Sequence, residues 1–465
     1  MTVQVHDRQP AVVPHPRLRV PVLGDILTLR PRHPVRSNLR ATQALGPVFE
    51  RRFLGNSMVF VSDPDLVAEL CDDTRFAKQL PPPLVTLRGL GGDALFTAYN
   101  EEPNWARAHQ LLQPAFTQAA MRGYHDTMTA VADELVRYWA AAARPVDVSA
   151  DMTKLTLETI GRTGFGFSFD SFSRARPHPF VGTMIGALAH AQLRTFLAPK
   201  GTEWLWRWAD RRNRQRVNYL HSVVDEVIRQ RRRTGHTGAE DLLERMLRAQ
   251  RTADPNRVDD ANIRLQVITF LIAGHETTSG ALSFALYYLA ANPQVGARAR
   301  AEVASVWGSG VPSFEQVAKL RYVRRVLDET LRMWPTAPGF ARAARADTVL
   351  GDRYPLRAGD GMLVFTPALH RDPAVWGPDA DRFDPEHFAA DRVHGRSAHA
   401  YKPFGTGERA CIGRQFAIHE AVLVLGTLLR EFDFATEADY TLRVQERLTL
   451  MPEGFRLHLS RRVAR

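Results

Sequence analysis

Residues from about 259 to 291 read as one long apolar helix, and that segment limits the fold more than any other feature of the chain. A helix that is apolar all round must be covered all round. Its strongest stretch, Val267–Gly274, and the later run Ala421–Leu429 are each about half the length that a membrane-spanning helix requires. The composition agrees with a large globular core: 45% of the 465 residues are apolar and 24% are charged. The 29 prolines and 31 glycines are too dispersed for a disordered or collagenous chain.

Elsewhere helical patterns outnumber strands. They are predicted at about 103–120, 121–143, 151–165, 178–196, 203–232, 240–250 and 315–334. Met58–Val61 reads as a strand, and Thr348–Leu350 with Tyr354–Leu356 flank Gly351-Asp352 as a short hairpin. Phe455, Leu457 and Leu459 alternate with polar residues as a half-buried strand. Pro81-Pro82-Pro83 is expected to break any helix. The expectation is a mainly α fold with small β-sheets (α+β) in a single domain, 18–465, behind a flexible proline-rich segment, 1–17. Two cysteines, Cys71 and Cys411, exclude a disulfide scaffold, and the N-terminus offers no signal peptide. A cytoplasmic protein without a membrane anchor is expected.

The net charge is +11, and Arg207–Arg216 holds five arginines. Leu220, Val223, Val224, Val227 and Ile228 follow as one apolar stripe, so the arginines read as the solvated face of a helix. No zinc-finger spacing, RNA-recognition signature or basic-zipper heptad accompanies them, and no nucleic-acid partner is expected.

The chemistry concentrates in Phe404-Gly405-Thr406-Gly407-Glu408-Arg409-Ala410-Cys411-Ile412-Gly413. The glycines let backbone pass close to a bulky partner. The residues after Cys411, through Leu429, read as an apolar helix, which puts the sulfur near a helix N-terminus and favours a thiolate. A lone cysteine is more often a small buried hydrophobe, the expectation for Cys71. No Gly-Lys-Ser/Thr follows for a phosphate loop, and no partnered base is identifiable for a cysteine nucleophile. A thiolate cradled by amides suits an axial bond to haem iron.

The pattern Phe-x-x-Gly-x-Arg-x-Cys-x-Gly resembles the cytochrome P450 superfamily of haem-thiolate monooxygenases. The resemblance covers about residues 17–460 and implies haem b (iron protoporphyrin IX) with Cys411 as axial ligand and Phe404 beside it. It assigns Lys78, Trp105, His109 and Arg409 to the haem propionates. Glu329-Thr330-Leu331-Arg332 resembles the family's buried Glu-x-x-Arg pair, completed by an arginine from a later segment. Here that segment reads Phe383-Asp384-Pro385-Glu386-His387-Phe388, with His387 in place of the arginine and without its planar fork. In Ala273-Gly274-His275-Glu276-Thr277-Thr278, the glycine and hydroxyls predict a kink or widened turn. The resemblance gives Thr277 and Glu276 proton delivery to iron-bound oxygen.

Phe270–Leu286, His370-Arg371-Asp372 and Lys402–Ala417 are most similar to the haem domain of self-sufficient bacterial fatty-acid hydroxylases. Those enzymes carry a fused reductase; here a separate ferredoxin or flavodoxin with its reductase is expected, steered by the basic surplus. The positions of the fatty-acid carboxylate anchor correspond to Asn56 and Phe60, neither of which replaces an arginine. Leu84, Leu87, Phe96, Ala273, Ala337, Pro338 and Leu448 are expected to line the substrate pocket, with Gly91 opening space. Trp204, Leu205 and Trp208 are read as part of a lid, with a helix packing face as the plainer alternative. The expectation is oxidation of a bulky hydrophobic metabolite, such as a polyketide- or terpenoid-type scaffold, with O2. A medium- or long-chain fatty acid is the runner-up. A non-catalytic haem sensor is a third reading, disfavoured because a binder needs no proton relay.

Overall fold

The computed structural model describes residues 12–462 apart from 22, 31, 175, 177, 198–202 and 236–239. Part of the expected flexible lead, residues 1–11, lies outside the described residues. Along the chain come α1 (Pro34–Leu45), strands β1 (Val48–Phe53) and β2 (Asn56–Val61), α2 (Pro64–Leu70), β3 (Phe76–Gln79) and α3 (Pro82–Gly91). Then follow α4 (Pro103–Leu112), α5 (Gln118–Ala140), β4 (Val146–Asp147), α6 (Val148–Phe165), α7 (Pro179–Leu197), α8 (Glu203–Thr234) and α9 (Leu242–Arg251). The long α10 (Asp260–Ala291) leads to α11 (Pro293–Trp307), α12 (Phe314–Ala318) and α13 (Arg321–Met333). Strands β5 (Phe340–Ala344), β6 (Thr348–Leu350), β7 (Tyr354–Leu356) and β8 (Gly361–Val364) precede the short helices α14 (Thr366–Leu369), α15 (Pro373–Trp376) and α16 (Ala390–His394). The chain closes with α17 (Arg414–Glu431) and strands β9 (Phe432–Thr436), β10 (Val444–Glu446), β11 (Leu450–Pro452) and β12 (Arg456–Arg461). The architecture is mainly α with small sheets.

Contacts gather the chain into two compact units, each assembled from three separated segments. The first comprises Met1–Pro81, Pro338–Arg382 and His394–Cys411. Its five-stranded sheet runs β1-β2-β8-β5-β3, antiparallel except where β2 pairs β8 in parallel. Val48, Val61, Phe76, Met362 and Val364 from these strands pack with Val67 and Leu70 of α2 to form its core, and Cys71 packs against it half-buried. The second unit comprises Pro82–Ala337, Phe383–Val393 and Ile412–Arg465. Here α10 is central: Asp259 caps it by accepting the Asn262 N–H at 2.7 Å, and α6, α8, α13 and α17 pack on it.

Three local expectations change. The helix expected over 103–120 ends at Leu112, and after a 3-10 turn over Gln113–Phe116 α5 starts at Gln118. Helix α3 begins at Pro82 and runs through Pro83, because a first turn needs no amide donor and proline's fixed φ suits it. The single helix expected over 315–334 is divided into α12 and α13, with Lys319 and Leu320 between them.

Candidate active site

In the cysteine loop, Gly405 and Gly407 adopt left-handed backbone at φ +74° and +62°, a conformation disfavoured for any residue with a Cβ. The resulting turn lets the Cys411 N–H donate to the Phe404 carbonyl at 2.9 Å and the Ala410 N–H to the Gly407 carbonyl at 3.1 Å. Cys411 is exposed. Gly413 is the N-cap of α17, so the sulfur-bearing residue stands just ahead of a helix N-terminus, as its sequence context predicts.

The loop is braced by Asp73 and Arg342, which sequence reasoning passed over, and by His370. Asp73 accepts from Arg342 Nη2 at 2.6 Å and from the Glu408 N–H at 3.4 Å, and a Cβ on Gly407 would collide with its carboxylate. Arg342 is buried and also donates to the Leu70 and Phe76 carbonyls, each at 2.8 Å. A charge within Ala341-Arg342-Ala343-Ala344 was the signal available, since a buried guanidinium needs partners. Fully buried His370 accepts the Lys402 N–H through Nε2 at 2.9 Å, which holds the start of the loop. On β3, Lys78 is brought down to about 7, first by burial and then by the like charge of Arg409.

In the second unit, Trp105 and His109 lie one turn apart on α4, half-buried, with ring centroids 4.9 Å apart. Helix α10 is buried from Gln266 to Leu286 except at Ala273, Gly274, Glu276 and Thr277, which spacing places together on one side of the helix. Thr277 Oγ1 donates to the Ala273 carbonyl at 2.8 Å. Glu276 Oε2 accepts from Thr449 Oγ1 at 3.1 Å. His275, between Gly274 and Glu276, is fully buried; its Nδ1–H donates to the Leu271 carbonyl at 2.6 Å, and its own carbonyl accepts from Thr156 of α6 at 3.0 Å. The widened turn expected here does not form, and α10 stays α-helical throughout. Gly274 instead allows close approach of Ile160 on α6. Gly280 likewise makes room for β11, since a Cβ there would run into the Leu450 carbonyl. That approach sets Thr449 beside Glu276, a pairing with no local sequence signal.

Glu329 and Arg332 are wholly buried on α13. Arg332 Nε and Nη2 donate to the two carboxylate oxygens at 2.7 and 2.8 Å. Glu329 Oε1 also accepts the Asp384 N–H at 2.8 Å and His387 Nδ1–H at 3.1 Å. The imidazole therefore occupies the donor position for which the sequence lacks an arginine.

The expected pocket residues divide. Leu84, Phe96, Ala273 and Leu448 are half-buried, and Ala337 is exposed; Pro338 belongs to the first unit, half-buried. Leu87 is core, 3% exposed, and lines a cavity of about 150 Å³ with Leu90, His190, Arg194 and Asp210. Gly91 is buried against Thr97 and opens no space. Asn56 is exposed at the start of β2. Phe60 is buried, stacked on Phe49 at 5.0 Å and edge-on to Phe365 at 5.7 Å, so it belongs to an aromatic cluster of the first unit. Trp204, Leu205 and Trp208 are strongly exposed rather than a packing face.

Within the first unit, an exposed thiol just ahead of a helix, with the cations Lys78 and Arg409 close enough to repel, suits a metal-bearing group that carries carboxylates. Residues 14–459 match the cytochrome P450 family, and the chain belongs to it. Haem b is the cofactor of that family. A bifunctional cytochrome P450/NADPH–P450 reductase of Bacillus cereus is 43% identical over 457 residues, which are 97% of this chain and 42% of that protein. Bifunctional cytochrome P450/NADPH–P450 reductase 2 of Bacillus subtilis is 42% identical over 98% of this chain and 43% of its own length. A self-sufficient cytochrome P450 monooxygenase of Exserohilum turcicum is 38% identical over 98% of this chain and 43% of its own length. The chain thus spans about two-fifths of these relatives. No helix among the described residues is long and apolar enough to cross a membrane.

Proposed function

We propose that the chain is a haem-thiolate monooxygenase that inserts one oxygen atom from O2 into a bulky, mostly apolar small molecule, by hydroxylation or epoxidation. One observation carries the reading: an acid and a hydroxyl, Glu276 and Thr277, stand at the one break in an otherwise buried stretch of α10. A carboxylate beside such an apolar run is costly unless it serves something. Cys411 would supply the thiolate ligand, with Phe404 beside it, and Lys78, Trp105, His109 and Arg409 would hold the propionates. When bound, the haem supplies reductive activation of O2 and transfer of one oxygen atom. Thr277 Oγ1 holds a proton within the site, turned back onto the Ala273 carbonyl until needed. Glu276, kept in place by Thr449, renews that proton from solvent. Glu329, Arg332 and His387 fix α13 to the following segment and act structurally.

Asn56 and Phe60 support an apolar substrate rather than an anchored carboxylate, since one is a neutral amide and the other a buried ring. Half-buried Leu84, Phe96, Ala273 and Leu448 offer apolar surface for it. Electrons come from a separate acidic ferredoxin or flavodoxin with its reductase, which a net charge of +11 favours. The test is the carbon monoxide difference spectrum of the reduced protein. Wild type and Cys71→Ser should show the strongly red-shifted Soret band of thiolate ligation, and Cys411→Ser should lose it. An unchanged band in Cys411→Ser would remove the assignment.

A further inference from the structure

The start of α8 exposes more apolar surface than it buries. The side packed on α7 carries Trp206, whose ring centroid lies 6.3 Å from that of His190, together with polar groups: Asp210 pairs with His190 Nε2 at 3.0 Å and with Arg194 Nε at 3.4 Å, and Arg216 donates to the Gly186 carbonyl at 3.1 Å. The solvent side carries Trp204, Leu205 and Trp208, which are 68%, 60% and 71% exposed. They recur at i, i+1 and i+4 and continue at helical spacing into exposed Arg211 and Arg212. Arg207 and Arg214 are exposed on the flanks, the Arg212 guanidinium lies 5.7 Å from the Trp208 ring, and no exposed residue from 204 to 219 is acidic. Two tryptophans and a leucine in water are unfavourable by the hydrophobic effect alone, so the arrangement calls for a counterpart.

We propose that the stripe of α8 from Trp204 to Arg214 docks on the headgroup region of an anionic lipid bilayer. The chemistry identifies that occupant. Indole rings prefer the boundary between headgroups and acyl chains, and guanidinium groups on long stems reach the phosphates while their methylenes stay in apolar surroundings. The helix surface is convex and mixes cations with aromatics, as an interfacial helix does. The cations match a negative leaflet and nothing on the exposed stripe opposes it. Docking would set an enzyme of lipophilic compounds against the phase in which they dissolve, but the surface itself does not depend on the monooxygenase reading.

The experiment uses the full-length haem-loaded protein with vesicles of phosphatidylcholine alone or mixed equally with phosphatidylglycerol. Co-sedimentation is expected with the anionic vesicles and to be weakened by high salt. Trp204→Ser with Trp208→Ser should lower the partition coefficient about tenfold or more. Arg211→Gln with Arg212→Gln should lower it roughly fivefold per charge, while Val311→Ser, an exposed control, leaves it unchanged. All three variants alter exposed side chains and should keep the wild-type haem spectrum. In the wild type, brominated acyl chains should quench tryptophan fluorescence. Absence of anionic-vesicle binding, binding unaltered by the tryptophan pair, or absence of quenching would each overturn the proposal. So would a finding that these substitutions weaken only the capture of an acidic electron-transfer protein.

Discussion

His387 offers a quantitative test of the buried cluster around Glu329. Its carboxylate is wholly buried and takes four donors, two from Arg332, one from the Asp384 backbone and one from His387. His387→Ala removes one charge-assisted hydrogen bond, about 1.5–3 kcal/mol, and leaves a void where the ring stood, for a total of about 2–4 kcal/mol. His387→Asn separates the two terms, because its amide nitrogen falls near the place of Nδ1 and keeps the donor while losing most of the ring. Asn should therefore recover roughly 1–2 kcal/mol of the alanine loss. Glu329→Gln strands the Arg332 guanidinium and should cost about 3–5 kcal/mol. In that background, replacing His387 by Ala should cost at least about 1 kcal/mol less, since the bond has lost its charge. The assay is equilibrium denaturation followed by far-UV circular dichroism and the Soret band at one fixed haem-to-protein ratio. Equal losses for Ala and Asn, with full additivity toward Glu329→Gln, would show that His387 acts only as filler.

Thr277→Ala should leave haem content and substrate binding intact while product formed per electron falls roughly tenfold or more and peroxide rises; unchanged coupling by oxygen-electrode and product assay would refute proton delivery through that hydroxyl. Two neighbours on α17 titrate in opposite senses. Burial pushes the Glu420 carboxyl up to about 8, so the folded state binds more protons than the unfolded one between about 4.5 and 8, and stability is lost as pH rises through that window. Glu420→Gln should thus stabilise by on the order of 2 kcal/mol at neutral pH and by little at pH 5, read from denaturant midpoints. Burial and the adjoining His125 ring, 3.1 Å away, bring His419 down to about 4, so its contribution is lost as pH falls from about 6.5 to 4; His419→Asn should flatten that acid limb. Asn56→Arg should tighten binding of a fatty acid about tenfold, and of its methyl ester little, in paired spectral titrations. Tight acid binding by the unaltered protein would mean that another residue holds the carboxylate.

What the sequence makes legible is the part of the structure written in short spacings. The hairpin of Thr348–Leu350 with Tyr354–Leu356 forms as read, because Gly351-Asp352 and the strands either side are local signals. The cysteine loop ahead of α17 and the i, i+3 pair Glu329–Arg332 are of the same kind. What stays hidden are partners brought together from far along the chain. Asp73 and Arg342 are 269 residues apart, and Glu276 and Thr449 are 173 apart. Each pairing depends on which backbones approach, and in the second case on a glycine, Gly280, that looks unremarkable in sequence. The triproline expectation fails for another reason: the rule that proline breaks helices concerns helix interiors, and Pro82 and Pro83 stand where no donor is required.

The missing arginine at His387 shows how a departure from a motif is to be weighed. Judged as a residue type, an imidazole is a poor substitute, since it offers no planar fork. Judged from the carboxylate, the demand is smaller. Arg332 already reaches both oxygens of Glu329, and the Asp384 amide adds a third donor without any side chain. One further N–H on Oε1 is all that the buried acid accepts here, and His387 Nδ1 supplies it at 3.1 Å. A buried charge asks for saturated hydrogen bonding, not for a particular side chain. The backbone turn of Asp384-Pro385-Glu386-His387 therefore does part of what a guanidinium would do. On that argument His387→Arg should bring no gain in stability, because its extra donors would be buried against a carboxylate that already takes four hydrogen bonds. A gain in the denaturation midpoint of His387→Arg would show that the histidine leaves the cluster under-bonded.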